Sequence, residues 1–300
     1  MIISIITPFY HGNGQIKKLI MNVDKNAGYL HSEYPEINVE LVIVNDSPEL
    51  EVDAETGQPL NDIHIRIIKN KRNSGIHFSR AAGLKASGGE YIVFLDQDDV
   101  IDNQYLLKQY KKIRNNDIVV CGGIHKYSDH SVRLYKNRYQ FECVKQFKKY
   151  IKIRQMIASP GQCLIRRKAV PDEWCEMILQ NNGADDFFLW ILMFAKGIQF
   201  EVNDEILYNH VITGKNCSAD LRKMDASVNE MLECLKNVGY MKKRTLKVFI
   251  RCNRYKQNFR YADKRMKLLY SIKNIDLAVL NIVFYIRSTR KDKDYDGFVE

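Results

Sequence analysis

In "GEYIVFLDQDD", residues 89–99, an apolar run opens onto three carboxylates, Asp96, Asp98 and Asp99. Like charges this close each raise the cost of ionising the next, unless a cation is shared among them. Asp96 and Asp98 are two apart, and on an extended chain such residues point to the same side. That arrangement suits a hard divalent ion, which takes oxygen ligands and keeps positions open for phosphate oxygens. An ion so held neutralises a diphosphate leaving group. A D-x-D also arises as a helix cap or a surface turn. Two other apolar runs end in polar groups: "IISIITPFY" supplies Thr7 before a proline-fixed turn, and "VELVIVNDSP" sets Asp46 just past its last apolar residue.

The elements that must position these residues alternate along the first two hundred positions. Residues 2–7 read as a buried strand, followed by a helix over 14–30 with Ile16, Leu19, Ile20 and Val23 on one face. Strands follow at 39–45 and 64–69. Residues 73–89 read as a turn, a short helix and a Gly-rich stop; the acidic-ended strand spans 90–96, and a helix runs from about 103 to 114. Such alternation predicts a mostly parallel sheet covered by helices on both faces. In such sheets ligands bind beyond the carboxyl ends of the strands, where Thr7, Asp46 and Asp96 fall. Further on, 117–127 and 161–167 read as strands, 184–197 as a helix closed by Gly197, and 205–213 as a strand again. From about residue 219 the chain reads helical and polar.

The 300 residues are 45% hydrophobic, which is ordinary for a globular chain with a substantial core. Seven scattered cysteines, none in a C-x-x-C pair, argue against a disulfide framework and for a reducing cytosol. The N-terminus has no basic leader, and no stretch reaches the ~18 apolar residues of a membrane span. The expected location is therefore the cytoplasm or the inner face of a membrane. The net charge of +10 is unevenly spread: between 242 and 293, sixteen Lys/Arg stand against three Asp. There Val248, Cys252, Tyr255, Phe259, Ala262, Met266 and Leu269 form an apolar stripe on one long basic helix. The stripe either docks on the rest of the chain or a second subunit, or lies on anionic lipid.

The stretches "SIITPFY", "LVIVNDSP", "NSGIHFSRAAGLKASGGEYIVFLDQDD" and "GADDFFLWILMFAKG" resemble, in order and spacing, the family 2 glycosyltransferases, which share the GT-A fold. The resemblance covers about residues 1–215 and is most specific over 73–99. It leaves 216–300 as a basic helical C-terminal region for acceptor, membrane or oligomer contacts. It implies an α/β protein with a GT-A type, mostly parallel central sheet flanked by helices, and a C-terminal helical extension. The implied reaction is an inverting, metal-dependent transfer of a sugar from a nucleotide-sugar donor, a UDP-sugar, to an acceptor hydroxyl. The implied acceptor is a glycan, lipid-linked in surface polysaccharide synthesis, with residues 242–293 on an anionic membrane surface.

By the same resemblance, Thr7 and Asp46 would contact the nucleotide base and ribose, and Arg80 the nucleotide side of the pocket. Asp96 would sit by the ribose and diphosphate, and Asp98 would bind the metal, Mn²⁺ or Mg²⁺. Asp185-Asp186 stand where the family opens a later helix with a Glu-Asp pair, and Asp186 matches its catalytic base. His210 falls where related enzymes carry a histidine near the metal and diphosphate. Elementary electrostatics agrees, because an aspartate at a helix N-terminus stays ionised and can take a hydroxyl proton. Plainer readings stand beside these: Asp185 as the helix cap with Asp186 working, His210 as a satisfied structural histidine, and Arg80 paired with a sheet-edge carboxylate.

The chain departs from the family pattern at Asn45, an amide where a double aspartate is commoner, at Ala82 in place of asparagine, and at Asp185 in place of glutamate. A competing reading is a non-catalytic GT-A-like binding protein whose basic tail grips nucleic acid or membrane. Tyrosines and Phe259 among the lysines suit base stacking, yet no nucleic-acid motif is visible and no nucleic-acid partner is expected. A nucleotidylyltransferase needs a Gly-rich, arginine-containing loop after the first strand, which "TPFYHGNGQ" does not supply.

Overall fold

The computed structural model describes residues 1–60, 62–212, 220–290 and 292. The chain begins β1 (Ile2–Phe9), α1 (Asn13–His31), β2 (Asn38–Asn45), β3 (Ile63–Lys69), α2 (Ile76–Ala86), β4 (Tyr91–Phe94) and β5 (Val100–Ile101). It continues α3 (Tyr105–Ile113), β6 (Ile118–Lys126), β7 (Ser131–Arg133), α4 (Arg138–Val144), α5 (Phe147–Lys152) and β8 (Cys163–Arg166). Then come α6 (Asp172–Glu176), α7 (Asp185–Ala195) and β9 (Phe200–Val211). The period-2 pleat splits the apolar residues between two cores. Ile3, Ile5, Leu41 and Val93 face α1 and α3, whereas Ile6, Val42, Ile92 and Phe94 face α2 and the later helices.

The sheet order is β3-β2-β1-β4-β8-β6-β9-β5, with β7 on β6. Pairing is parallel from β3 to β4, with Ile3 level with both Val39 and Tyr91. The carboxyl ends of β1, β2 and β4 therefore open on one edge. β8 inserts antiparallel between β4 and β6, β6 runs parallel to β9, and β5 pairs antiparallel with β9.

Three local expectations are corrected. β4 stops at Phe94, not at Asp96, and Asp96–Asp99 form a turn closed by the Asp99 amide donating to the Asp96 carbonyl at 3.2 Å. The extended-chain argument for placing Asp96 and Asp98 on one side thus fails. The strand expected over 161–167 shrinks to β8, because Ser159 and Gln162 form a capping box that winds Pro160–Gln162 into a 3-10 turn. The last expected strand instead begins at Phe200. Its expected end at Thr213, the expected domain boundary at 215/216, and Cys217 lie outside the described residues.

The C-terminal region comprises α8 (Leu221–Val238), α9 (Lys243–Tyr261), α10 (Lys264–Lys273) and α11 (Ile275–Thr289). The single long helix expected to carry the apolar stripe is broken after Tyr261. Asp263 caps α10 by accepting from the Met266 amide at 2.8 Å, and Ala262 is extended. α8 shares the core of the sheet, with Met231, Leu232 and Leu235 buried there. α9 docks on the same core through Phe249, with Leu246, Val248 and Ile250 packed against it and Cys252 also buried; the Phe249 ring meets Phe187 of α7 edge-on at 5.6 Å.

Candidate active site

Loop chemistry at the end of β2 builds the first wall. Asn45 accepts from the Ser47 amide at 2.8 Å and donates through Nδ2 to the Leu50 carbonyl at 2.7 Å. A carboxylate cannot make the second bond, so the departure from aspartate has a local use. Asp46, buried, accepts from Asn70 Nδ2 and from the amides of Ser74 and Gly75, each at 2.8 Å. Gly75 takes φ 88°, the left-handed region, to turn the chain into α2. Asp46 therefore anchors the entry of the helix that bears Arg80. Thr7 is fully buried in β1, and its hydroxyl has no hydrogen-bond partner among the described residues.

Arg80 links the two acidic sites that the sequence offered separately. It is 3% exposed; Nη2 donates to Asp96 Oδ1 at 2.5 Å and Nη1 to Asp185 Oδ2 at 2.6 Å. Burial works against its charge, but the two carboxylates more than offset it and its pKa is raised. Burial also opposes ionisation of Asp185, yet Arg80 and His77 hold its carboxyl below the usual range. Asp96 goes the other way, raised by burial and by Asp99 in spite of Arg80.

Asp185 is not the helix cap. Ala184 occupies that position without a side-chain bond, and both aspartates lie in the first turn of α7. Asp186 does not stay firmly ionised either: burial, and then Asp185 beside it, push its pKa up to about 7. At 9% exposure, the desolvation cost outweighs the favourable helix N-terminus. Its oxygens accept from Gln155 Nε2 and the Phe187 amide, both at 2.6 Å. A carboxyl balanced near neutrality is well placed to take a proton from a hydroxyl. The turn before α7 is held from the C-terminal region. Ser227 of α8 donates to the Asn181 carbonyl at 2.7 Å and accepts from the Ala184 amide at 3.0 Å, and Glu230 accepts from the Gln180 and Asn181 amides at 2.6 and 2.9 Å.

The short β5–β9 ladder brings His210 to the acidic turn. Asp99, buried, accepts from the Tyr208 hydroxyl, from the Val211 amide at 3.0 Å and from His210 Nδ1 at 3.1 Å. Although burial lowers the pKa of His210, Asp99, Asp96 and Asp98 raise it on balance. Asp98 is half-buried and pushed up to about 6 by burial, then by Asp99 and Asp96. Among the described residues no group of three His, Cys, Asp or Glu forms a ready-made metal cage. An ion that shares its coordination with phosphate would find the Asp98 carboxylate there, and because Asp99 occupies Nδ1 of His210, Nε2 would be the nitrogen facing it as a ligand. Asp99, Tyr208 and Gln155 carry structural weight the sequence reading did not assign. The third carboxylate of "DQDD" was a visible signal for Asp99; nothing in the surrounding sequence marked Gln155.

Comparison with known proteins identifies the family and the fold. The family model described as glycosyl transferase family 2 matches residues 4–174. An uncharacterized glycosyltransferase of Methanocaldococcus jannaschii is 27% identical over 160 residues, covering 52% of this chain and 53% of that protein. The poly(ribitol-phosphate) beta-N-acetylglucosaminyltransferase TarP of Staphylococcus aureus is 29% identical over 126 residues, 39% of this chain and 35% of that one. The chain spans about half the length of the first curated relatives it matches. The S. aureus TarS fragment in complex with UDP-GlcNAc superposes with a TM-score of 0.62 at 16% identity, over 87% of this chain and 74% of that one. The Pyrobaculum calidifontis mannosyltransferase PcManGT, in complex with GDP-Man and Mn²⁺, gives 0.55 at 13% identity, over 98% and 81%. These likenesses show the GT-A fold.

Proposed function

Because the chain belongs to glycosyltransferase family 2, we propose that it transfers one sugar from a nucleotide-sugar donor, a UDP-sugar, to an acceptor hydroxyl with inversion at the anomeric carbon. The observation that carries the reading is the Arg80 bridge, which sets the acidic turn at Asp96 and the first turn of α7 on two sides of one buried guanidinium. Diphosphate chemistry then lies on one side and proton removal on the other.

Asp186, with its pKa near 7, takes the proton of the acceptor hydroxyl as that oxygen attacks the anomeric carbon. The new carbon–oxygen bond forms on the face opposite the diphosphate, the bond to the diphosphate oxygen breaks, and the nucleoside diphosphate leaves with the electron pair. Gln155 orients the Asp186 carboxylate for this transfer. Asp98 and His210 would hold Mn²⁺ or Mg²⁺, with Asp99 fixing the imidazole. Bound there, the ion supplies Lewis-acid neutralisation of the diphosphate. Thr7 and Asp46 lie on the base and ribose side. The acceptor in this reading is a lipid-linked glycan of surface polysaccharide synthesis, met at the inner membrane face. Relatives and neighbours whose names carry N-acetylglucosaminyl transfer and UDP-GlcNAc support the donor class.

A panel of nucleotide sugars scored for hydrolysis with and without Mn²⁺ tests it. The expected result is turnover of one UDP-sugar that is lost in Asp98→Ala and Asp186→Asn. Full turnover in both variants would overturn the assignment.

A further inference from the structure

One apolar face of α10 and α11 is left uncovered among the described residues. Leu268, Ile272, Ile275, Val279, Ile282 and Ile286 are each between 50% and 64% exposed. On α11 the last four fall at i, i+4, i+7 and i+11, one helical face, while Leu277, Phe284 and Ser288 on the opposite face are buried against the protein. α10 buries no residue at all. A soluble surface rarely leaves so contiguous an apolar stripe in water.

Charge decides what covers it. Lys264, Arg265, Lys267, Lys273, Arg287 and Arg290 flank the stripe, and the one acidic residue of the two helices, Asp276, is already paired with Arg251. Beside it, a cleft of about 480 Å³ between α9 and α10 gathers Lys247, Arg254 and Lys273, none with an acidic partner among the described residues. A second copy docking through this face would bring two basic rims together. A bilayer with anionic headgroups offers the opposite charge and an apolar interior. Neither helix crosses it: α11, at 15 residues, is ~22 Å long against a ~30 Å hydrocarbon core. The two helices also meet at a bend of 102°.

We infer that α10 and α11 form an in-plane membrane wedge, its apolar face sunk at the acyl boundary of an anionic bilayer and its basic cleft on headgroup phosphates. The inference stands independently of the transfer reaction, since it concerns a surface that shares no residue with the sheet edge. The expected stripe is divided: Val248 packs on the core and Cys252 is buried, whereas Phe259, Met266 and Leu269 are 37–40% exposed.

The test is cosedimentation of the full chain with phosphatidylcholine vesicles with and without phosphatidylglycerol. Wild type binds the mixed vesicles more tightly than the neutral ones. Ile275→Ser/Ile282→Ser weakens partitioning about tenfold or more, including at high salt, because the loss is apolar area. Lys247→Gln/Arg254→Gln/Lys273→Gln weakens it at low salt only. All five side chains are at the surface, so an unchanged far-UV melting curve accompanies both results. Equal partitioning of wild type and both variants overturns the wedge. So does a wild-type dimer in sedimentation equilibrium that Ile275→Ser/Ile282→Ser abolishes while vesicles go unbound, since a second copy would then cover the face.

Discussion

Asp186→Asn separates the electrostatic argument from the catalytic one, because the change is measurable as stability. Burial and Asp185 raise the Asp186 pKa from 3.8 to about 7. A raised carboxyl keeps its proton in the folded chain at pH values where the unfolded chain has lost it. The folded state is therefore penalised progressively as pH rises from about 4 to about 7, and the penalty is complete above that. The full effect is on the order of 4 kcal/mol, of which roughly 2–3 kcal/mol falls between pH 5 and pH 8.5. Asparagine escapes this cost but has a single carbonyl oxygen, so Gln155 or the Phe187 amide loses its acceptor, at ~1 kcal/mol independent of pH. Urea unfolding of both proteins at the two pH values cancels the titrating groups that do not interact with Asp186, leaving its own contribution and that of its neighbour Asp185. The variant should gain ~2–3 kcal/mol on wild type between pH 5 and pH 8.5, and its turnover should fall by ~10²–10⁴. A stability difference that stays constant with pH would show that the carboxyl is not raised, and the argument for a base held near neutrality would fail.

Arg80→Met leaves the buried Asp185 and the partly buried Asp96 without their counter-charge, and should cost ~3–5 kcal/mol in urea unfolding at pH 7. Arg80→Lys should recover only part of this, since an ammonium lacks the planar fork that spans two carboxylates; full recovery would contradict the bridge. Asp99→Asn loosens the imidazole of His210 and should raise the Mn²⁺ concentration for half-maximal turnover ~10–100-fold with little change in donor KM. An unaltered metal requirement would remove His210 from the ion's coordination.

The alternation of apolar strands and helices, the burial of Ile16, Leu19, Ile20 and Val23 on α1, and the polar groups at the ends of β1, β2 and β4 could be read from the chain, because each rests on side-chain periods of 2 or 3.6 within one element. The positions of Asp98 and of Asp185-Asp186 at element ends were equally legible. Their surroundings were not. Asp98 sits on a turn rather than a strand because the Asp99 amide folds back on Asp96, a bond no periodicity announces.

Arg80 meets partners 16 and 105 positions away, and Asp99 meets His210 at a separation of 111. Such pairings are decided by sheet order, and with them the ionisation of Asp96, Asp98, Asp185 and Asp186, since a pKa responds to burial and to charges through space. The break at Asp263 likewise decided the fate of the tail. Sequence fixes where an apolar side chain stands on its own helix; only the packed fold decides whether another surface covers it. Here the core takes Phe249 of α9 and Phe284 of α11 and leaves Leu268, Ile272, Ile275, Val279, Ile282 and Ile286 exposed.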